Sequence, residues 1–413
     1  MKILYLHQYF NTPSMWGSHR SYEMARRLVD MGHQGQIVTA YLKGDKKSSF
    51  NTTIDGINVH WIPVPYSNYM SFNQRIWAFM KFSLYAIPYV VKNKSDLIFA
   101  TSTPLTICIP ALFGKLFARK KFIFEVRDLW PELPIAFGAI KNPLVISIAK
   151  LLEKVAYYYA DALVALSPGM KDGIIKRGKN PKNIAVIPNL CDFNLNQKDV
   201  PEISSLIKDI DDKRPTIAFA GAFGLINNIE WIVNLGFELE KINSNVQILL
   251  IGDGKTKLDI INQIDSKKLV NRVRIINPVA KKDMPKILNN ITMSLITFND
   301  LPEMQNNSAN KFFDSLATGK PVIINFGGWI NDLVNENNCG IDGWRKEISE
   351  VAKVVNQKCN DVEWLELAGK NAYQLGKKYF DRDMAAVNLN NILISVLNGN
   401  NEISHNASEK YNL

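Results

Sequence analysis

Short apolar runs alternate with amphipathic segments from the first residues of the chain. Residues 2–7 form an apolar run that predicts a strand, and residues 21–31 carry apolar side chains at helical spacing. Gly32 follows where a helix C-cap glycine belongs, and residues 36–40 predict the next strand. Strand, loop, helix and strand in this order are how doubly wound α/β domains begin.

The same alternation continues along the chain with one interruption. Its first half predicts further strands at 97–100, 121–125, 162–166 and 185–187, and a helix at 146–160. A polar and charged stretch follows, and we place the domain junction near residues 190–215. The second half predicts strands at 216–219, 247–251, 273–276, 293–296 and 322–325, and helices at 230–242, 284–289, 310–317 and 381–397.

This pattern predicts an α/β protein with two Rossmann-like, doubly wound domains. We assign residues 1–190 to the first domain and 191–380 to the second. Helix 381–398 is expected to pack back towards the first domain, and 399–413 form a polar tail. The crevice between the carboxyl ends of the two sheets is the expected ligand site.

Composition narrows the class of protein. The 413 residues are 46% hydrophobic and 21% charged, which suits two globular domains and excludes wholesale disorder. Four separated cysteines and five histidines without ligand spacing predict neither disulfides nor a metal site, and they suit a reducing, cytoplasmic compartment. The apolar run at the start is too short for a signal peptide, and no apolar stretch is long enough to predict a membrane span.

The net charge of +10 is divided unevenly between the two halves. Residues 1–190 carry +13 and residues 191–413 carry −3. An anionic membrane surface or a phosphate-bearing substrate would suit the basic half. Nucleic acid would suit it too, but no recognition motif supports a nucleic-acid partner.

The segment 75–94 is aromatic and apolar with lysine or arginine at both ends. An interfacial helix has this composition, and in that case Trp77, Phe79 and Phe82 would insert into a membrane. A buried helix of the first domain, kinked at Pro88, has the same composition. The sequence leaves both interpretations open.

Two glycine-containing turns follow predicted strands of the second domain. Gly221 and Gly224 follow the strand 216–219, and the segment 252–254 follows 247–251 with Lys257 just beyond it. Such turns let a backbone approach phosphate, and a following helix N-terminus favours an anion. Each is also compatible with a plain strand–helix turn, with Lys257 solvated.

A third glycine, Gly17, lies in the loop before the first helix, beside Ser18 and Arg20. There the backbone could approach a phosphate that the helix N-terminus helps to neutralise. The alternative is an ordinary turn.

Two charged segments have more specific patterns. In 310–321, Asn310 opens a helix that carries Lys311 and Asp314 on one face. The lysine could meet a diphosphate and the carboxylate two ribose hydroxyls; the alternative is a solvated ion pair. In 125–132, Arg127, Asp128 and Glu132 surround a tryptophan just after a strand, which indicates either reaction chemistry or a salt-bridge cluster that fixes the loop.

The order of these motifs resembles the retaining glycosyltransferases of family 4, which have the GT-B fold. The resemblance covers about residues 1–395 and includes the Gly17 loop and the segments 125–132, 187–189, 252–254 and 310–321. The most similar branch is that of O-antigen and capsule transferases, including enzymes proposed to transfer N-acetyl-L-fucosamine.

The resemblance implies that the first domain binds an acceptor and the second a nucleotide sugar, a UDP-sugar. It implies front-face transfer without a metal, with Lys257 and Lys311 on the diphosphate. Asp128 is the candidate that orients or deprotonates the acceptor hydroxyl, and many relatives have histidine at the position of Arg127. The implied acceptor is a lipid-diphosphate-linked saccharide, at the inner face of the cytoplasmic membrane with which the protein associates.

One departure concerns the donor sugar. Family members have two glutamates with seven residues between them, and these positions hold Asn306 and Asp314 here. Asp314 keeps a carboxylate for the ribose, whereas Asn306 can bind sugar hydroxyls only as a neutral group. Glu303, one turn earlier, is a candidate to compensate.

Two other functions fit the same fold. A nucleotide-sugar epimerase would need no lipid acceptor, and the basic first domain argues against it. A non-catalytic protein that binds nucleotide sugars would not need the cluster of Arg127, Asp128 and Glu132 at the cleft.

Overall fold

The computed structural model describes residues 1–15, 17–67, 69–193, 202–208 and 210–403. They form two α/β domains that face each other across a cleft, as the alternation of strands and helices predicts. The predicted junction at 190–215 and the predicted tail at 399–413 lie partly outside the described residues.

The N-terminal domain is built on an eight-stranded sheet of order β3-β4-β2-β1-β5-β6-β7-β8, in which only the β3–β4 pair is antiparallel. Its strands are β1 Lys2–Leu6, β2 Gln34–Tyr41, β3 Phe50–Ile54, β4 Ile57–Pro63, β5 Leu97–Thr101, β6 Lys121–Val126, β7 Ala162–Ala165 and β8 Ile184–Val186. Its helices are α1 Arg20–Asp30, α2 Phe72–Lys92, α3 Cys108–Phe117, α4 Glu132–Ala136, α5 Pro143–Tyr159 and α6 Pro168–Lys176, with 3₁₀ turns at Leu105–Ile107 and Pro181–Asn183.

The C-terminal domain has a six-stranded parallel sheet of order β11-β10-β9-β12-β13-β14. Its strands are β9 Thr216–Ala220, β10 Gln247–Ile251, β11 Val273–Ile276, β12 Met293–Ile296, β13 Val322–Ile324 and β14 Gly340–Asp342. The remaining helices are α7 Ile203–Leu206, α8 Ile229–Lys241, α9 Lys257–Ser266, α10 Met284–Leu288, α11 Asn310–Ala317, α12 Trp329–Glu336, α13 Ile348–Cys359, α14 Val362–Tyr379 and α15 Arg382–Leu397, with 3₁₀ turns at Leu225–Asn227, Lys281–Asp283 and Pro302–Asn306.

Helix α15 crosses back and packs on the N-terminal sheet. Its side chains Ala385, Leu389 and Ile392 are buried in the same apolar cluster as Ile3 of β1. The return crossing lies beside the first one, because the backbone N–H of Cys191 donates to the carbonyl of Phe380 at 2.9 Å. The chain therefore joins the domains at two adjacent places.

Helix α2 contains the segment for which the sequence leaves two interpretations. Its inward face is core, since Phe79 and Phe82 are 5% and 0% exposed and Phe82 lies in the main apolar cluster under the sheet. The expectation that these two rings insert into a membrane is therefore wrong. Trp77 on the outward face is 68% exposed, and the helix continues through Pro88 to Lys92. Within the described ranges, we find no helix long and apolar enough to cross a bilayer.

Candidate active site

A cleft of about 450 Å³ lies between the domains, where the carboxyl ends of both sheets meet. The N-terminal domain lines it with the loop before α1 and the turn after β6. The C-terminal domain lines it with the turn after β9, the segment before α10 and the start of α11. The sequence-predicted residues that lie on this cleft are Gly17, Ser18, Arg20, Arg127, Asp128, Gly221, Asn310, Lys311 and Asp314.

The loop before α1 brings backbone close to the cleft. Gly17 has φ +110°, a conformation that side chains rarely adopt, and an added Cβ would lie 3.0 Å from the amide nitrogen of Asn11. Helix α1 starts three residues later without a side-chain cap at its N-terminus. Its first turn therefore keeps backbone N–H groups available for an anion.

Arg20 lies on the cleft but is held by the N-terminal domain itself. Its Nε donates to Oε1 of Glu125 at 2.9 Å, and its other nitrogens donate to the carbonyls of Ile187 and Pro188. Both members of this ion pair are buried. The guanidinium thus links the start of α1 to the end of β6 and to the segment after β8. Its charge is compensated by Glu125, without a ligand.

Arg127 is positioned by polar contacts on several sides. Its backbone N–H donates to Oγ of Ser102, and its guanidinium donates to Oγ of Ser18 at 3.0 Å and to Nε2 of His7 at 3.3 Å. Burial and the neighbouring guanidinium hold the pKa of His7 well below its usual range. Neutral His7 must then carry its proton on Nδ1 and donate it to Oγ of Ser21, 2.8 Å away.

Asp128, the next residue, faces the cleft. Its Oδ2 accepts a hydrogen bond from Oγ1 of Thr103 at 3.1 Å. Burial raises the pKa of Asp128, while the Arg127 charge and the Thr103 hydrogen bond oppose that rise. A buried carboxyl with a raised pKa can exchange a proton with a substrate hydroxyl.

Glu132 does not line the cleft with its two sequence partners. It starts α4 and pairs with Arg177 at the end of α6, and Arg177 also contacts the buried Glu153. This ion pair lies within the N-terminal domain.

Lys311 lies on α11 and its ammonium group is enclosed by neutral groups. Its Nζ donates to Oδ1 of Asn227 at 2.8 Å and lies 4.1 Å from the ring centre of Phe219 and 5.2 Å from that of Phe298. Among the described residues, no carboxylate lies within ion-pair distance of it. Burial lowers the pKa of Lys311 to about 7.

Asp314, one turn along α11, pairs with a lysine that the sequence analysis missed. The ammonium group of Lys281, in the 3₁₀ turn after β11, donates to Oδ2 of Asp314. The backbone N–H of Lys281 also donates to the carbonyl of Met15 in the other domain, at 3.2 Å. Its place after the end of a parallel strand is the signal that could have identified it.

Two other donor-site candidates of the second domain lie away from the cleft lining. Lys257, at the start of α9, donates to Oδ1 of Asn277 at 3.1 Å and lies 3.6 Å from Oδ1 of Asp253. Gly221 and Ala222 line the cleft, whereas Gly224, two residues further on, does not. The structure therefore places Lys311 and Lys281, but not Lys257, around the cleft.

Glu303 and Asn306 line a small cavity of about 20 Å³ that adjoins the cleft and shares Asp128 with it. Asn306 ends a 3₁₀ turn and contacts the N-terminal domain. Its carbonyl accepts from Oγ of Ser167 at 2.6 Å, and its side chain lies against Gly169, where an added Cβ would be 1.9 Å from Oδ1. Asn306 thus contributes to the contact between the domains.

This contact gives a stability prediction. Replacing Gly169 with alanine should lower the free energy of unfolding by about 1 kcal/mol, because the methyl group and the Asn306 amide cannot share the space. Thermal or urea unfolding measures it. Gly44→Ala, at a glycine with nothing within 4 Å, is the matched control. Adding Asn306→Ala should relieve most of the Gly169→Ala effect; a purely additive double variant would contradict the proposed collision.

Within the part of the chain that the structure describes, no group of three or more His, Cys, Asp or Glu side chains could hold a metal ion. That the chemistry needs no metal stays a prediction.

Sequence comparisons relate the chain to known proteins. Residues 17–190 match the family model of the glycosyl transferase 4-like domain. Alpha-D-kanosaminyltransferase from Streptomyces kanamyceticus is 21% identical over 232 residues, which are 55% of this chain and 58% of that protein. The match therefore spans little more than half of this relative's length.

Similar solved structures cover nearly the whole chain. Sucrose-phosphate synthase from Thermosynechococcus elongatus has a TM-score of 0.75 at 14% identity and covers 96% of this chain and 99% of its own. Anabaena HepE, solved in complex with UDP and glucose, has a TM-score of 0.68 at 18% identity and covers 96% of this chain and all of its own. The predicted GT-B fold is confirmed.

Proposed function

We propose that this protein is a retaining glycosyltransferase that uses a nucleotide diphosphate sugar, a UDP-sugar, as donor. The observation that carries the proposal is the buried ammonium group of Lys311, which faces the cleft without a carboxylate partner among the described residues. A buried charge is costly unless an opposite charge compensates it. A diphosphate bound in the cleft would supply that charge.

Two helix N-termini support the same ligand. Neither α1 nor α11 has a side-chain cap, and the first residues of both line the cleft. Backbone N–H groups at such ends bind phosphate, and together with Lys311 they would stabilise the charge that develops on the leaving diphosphate. The carboxylate of Asp314, oriented by Lys281, is suited to accept hydrogen bonds from the ribose hydroxyls.

Asp128 is our candidate for the group that orients or deprotonates the acceptor hydroxyl. It lines the cleft from the other domain, and burial raises its pKa above the ordinary value, which makes the carboxylate a stronger base. Arg127 beside it would stabilise the carboxylate form. Retention of configuration follows the family 4 enzymes that the sequence resembles.

The finer assignments are also proposals. The donor sugar is N-acetyl-L-fucosamine or another N-acetylated amino sugar. The similarity to alpha-D-kanosaminyltransferase, which is named as an amino-sugar transferase, supports an amino sugar. HepE, solved with UDP and glucose, supports a UDP donor. The acceptor is a lipid-diphosphate-linked saccharide at the cytoplasmic face of the membrane, in O-antigen or capsule synthesis.

A panel of nucleotide sugars, each incubated with and without lipid-diphosphate acceptors, tests the proposal. We expect UDP release and a lengthened acceptor only when both substrates are present. NMR of the product should show that the new glycosidic bond has the anomeric configuration of the donor. A donor that is isomerised without an acceptor would instead identify an epimerase. Tight donor binding without turnover of any pair would identify a binding protein.

A further inference from the structure

Exposed apolar side chains are concentrated on one face of the N-terminal domain. Helices α2, α3 and α5 pack on the same side of the sheet, and α3 contacts both of the others. Of the 26 large apolar side chains that are exposed in the described residues, 12 belong to these three helices. Because scattered exposed apolar residues are normal but contiguous patches are not, this face needs an explanation.

The first half of α5 is its most unusual part. Leu144, Ile148 and Leu151 are 67%, 58% and 62% exposed, and Val145 is also exposed. The helix start is well defined, because Oδ1 of Asn142 accepts hydrogen bonds from the backbone N–H groups of the first turn. These leucines and isoleucine are therefore held on the surface by a capped helix.

The charges of this face favour an anionic partner. The three helices contain six lysine or arginine residues and one acidic residue, Glu153, which is buried and paired with Arg177. Lys150 and Lys154 flank the apolar side chains of α5 and are exposed. In the described part of the chain, neither has a carboxylate within ion-pair distance. Apolar side chains rimmed by unpaired lysines match the boundary between lipid headgroups and acyl chains.

The position of α5 relates this face to the cleft. Helix α4 follows β6 and the turn that holds Arg127, and its Leu133 and the nearby Phe137 pack against the apolar cluster of the C-terminal domain. Helix α5 begins six residues after Phe137, so its exposed first half starts at the cleft side of the domain. A surface bound there would lie on the cleft side of the domain.

We infer that the first half of α5, with the outward faces of α2 and α3, docks on an anionic phospholipid bilayer. Leu144, Ile148 and Leu151 insert at the boundary of headgroups and acyl chains, and the surrounding lysines contact the phosphates. One part of the inference rests on the proposed function: a lipid-linked acceptor in this membrane would reach the cleft directly.

Co-sedimentation of the full chain with vesicles tests the docking. We expect binding to an equal mixture of phosphatidylglycerol and phosphatidylcholine, weakened by salt, and poor binding to phosphatidylcholine alone. Leu144→Ser combined with Leu151→Ser should lower the partition coefficient by about 10-fold or more, since two inserted leucines are lost. The control Leu258→Ser with Leu367→Ser changes two leucines of the other domain that are 74% and 58% exposed, and it should bind as the wild type does.

Three results would overturn the inference. The wild type could ignore anionic vesicles at low salt, or both leucine pairs could lower binding equally. Alternatively, sedimentation velocity could show a dimer that only the α5 pair dissociates, which would make this face a contact between two copies of the chain. UDP binding, measured on the same samples, reports separately on the proposed function, because neither leucine pair lines the cleft.

Discussion

Replacing Lys311 with methionine should weaken binding of a UDP-sugar by about 10- to 150-fold, which corresponds to the roughly 1.5–3 kcal/mol of a hydrogen bond to a charged group. Methionine keeps an unbranched apolar chain between the rings of Phe219 and Phe298. The variant should therefore fold, and its loss of affinity would report the missing charge. Isothermal titration with the sugar nucleotide measures the effect.

Lys257→Met is the matched control. The sequence motif treats the two lysines alike, but Lys257 is partly exposed, pairs with Asp253 and does not line the cleft. We expect its affinity for the UDP-sugar to stay within about twofold of the wild type, as is usual for surface changes. Equal losses in both variants, or none in either, would contradict the assignment of the diphosphate to Lys311.

The pH dependence of binding gives a second readout of Lys311. Burial lowers its pKa to about 7 in the free protein, and a bound diphosphate would favour the charged form and raise that pKa. Binding then takes up a proton between the two values, so the affinity for the UDP-sugar should fall as the pH rises above about 7. The phosphates of a UDP-sugar do not titrate in this range. The affinity of the Lys311→Met variant should not fall with pH in this range. A wild-type affinity that does not change with pH would contradict the contact between Lys311 and the diphosphate.

The fold was predictable because its signal is periodic. The strands β10, β11 and β12 and the helix α11 have the predicted bounds, since short buried strands and one-sided helices are marked by their apolar residues. Strand β3 was missed because Phe50–Ile54 is largely exposed and polar, with little apolar alternation. Helix α3 was missed for the opposite reason, since it is apolar on nearly all sides.

The site was predictable where a local pattern marks a residue. Arg127 and Asp128 were named because they follow a strand, Gly17 from the loop before a helix and Lys311 from its helical spacing with Asp314, and the structure brings all four to one cleft. Side-chain direction and pairing were not predictable, because they depend on packing between elements distant in sequence. Lys281 and Arg382 therefore went unnoticed, although both line the cleft and Arg382 joins Glu23 and Asp192 across the domain junction.

Asp128→Asn should lower the turnover of glycosyl transfer by about 100- to 10,000-fold, the usual contribution of a general base. Asparagine has the same shape and can still accept from Thr103, so the loop should keep its conformation. Affinity for the UDP-sugar should stay near the wild-type value, because Asp128 is not among the proposed donor contacts, which are the N-termini of α1 and α11 with Lys311 and Asp314. Initial rates at saturating donor, together with titration of the donor, separate these two effects.

Glu132→Gln provides the comparison within the same motif. The sequence places both carboxylates in one cluster, but Glu132 pairs with Arg177 and does not line the cleft. If Asp128 alone serves the acceptor, the turnover of Glu132→Gln should stay within about tenfold of the wild type. Weakening the ion pair with Arg177 could disturb the structure enough to cause a decrease of that size. A larger loss for Glu132→Gln than for Asp128→Asn would reverse the assignment.

The pH profile connects the Asp128 effect to proton transfer. A base acts only when ionised, so wild-type turnover should rise with pH through the pKa of Asp128, which burial raises above its ordinary value. Thr103→Val removes the hydrogen bond that favours the carboxylate, and it should move this limb to higher pH while the plateau is kept. An unshifted limb in Thr103→Val, or wild-type turnover in Asp128→Asn at an unchanged melting temperature, would restrict Asp128 to holding the loop in place.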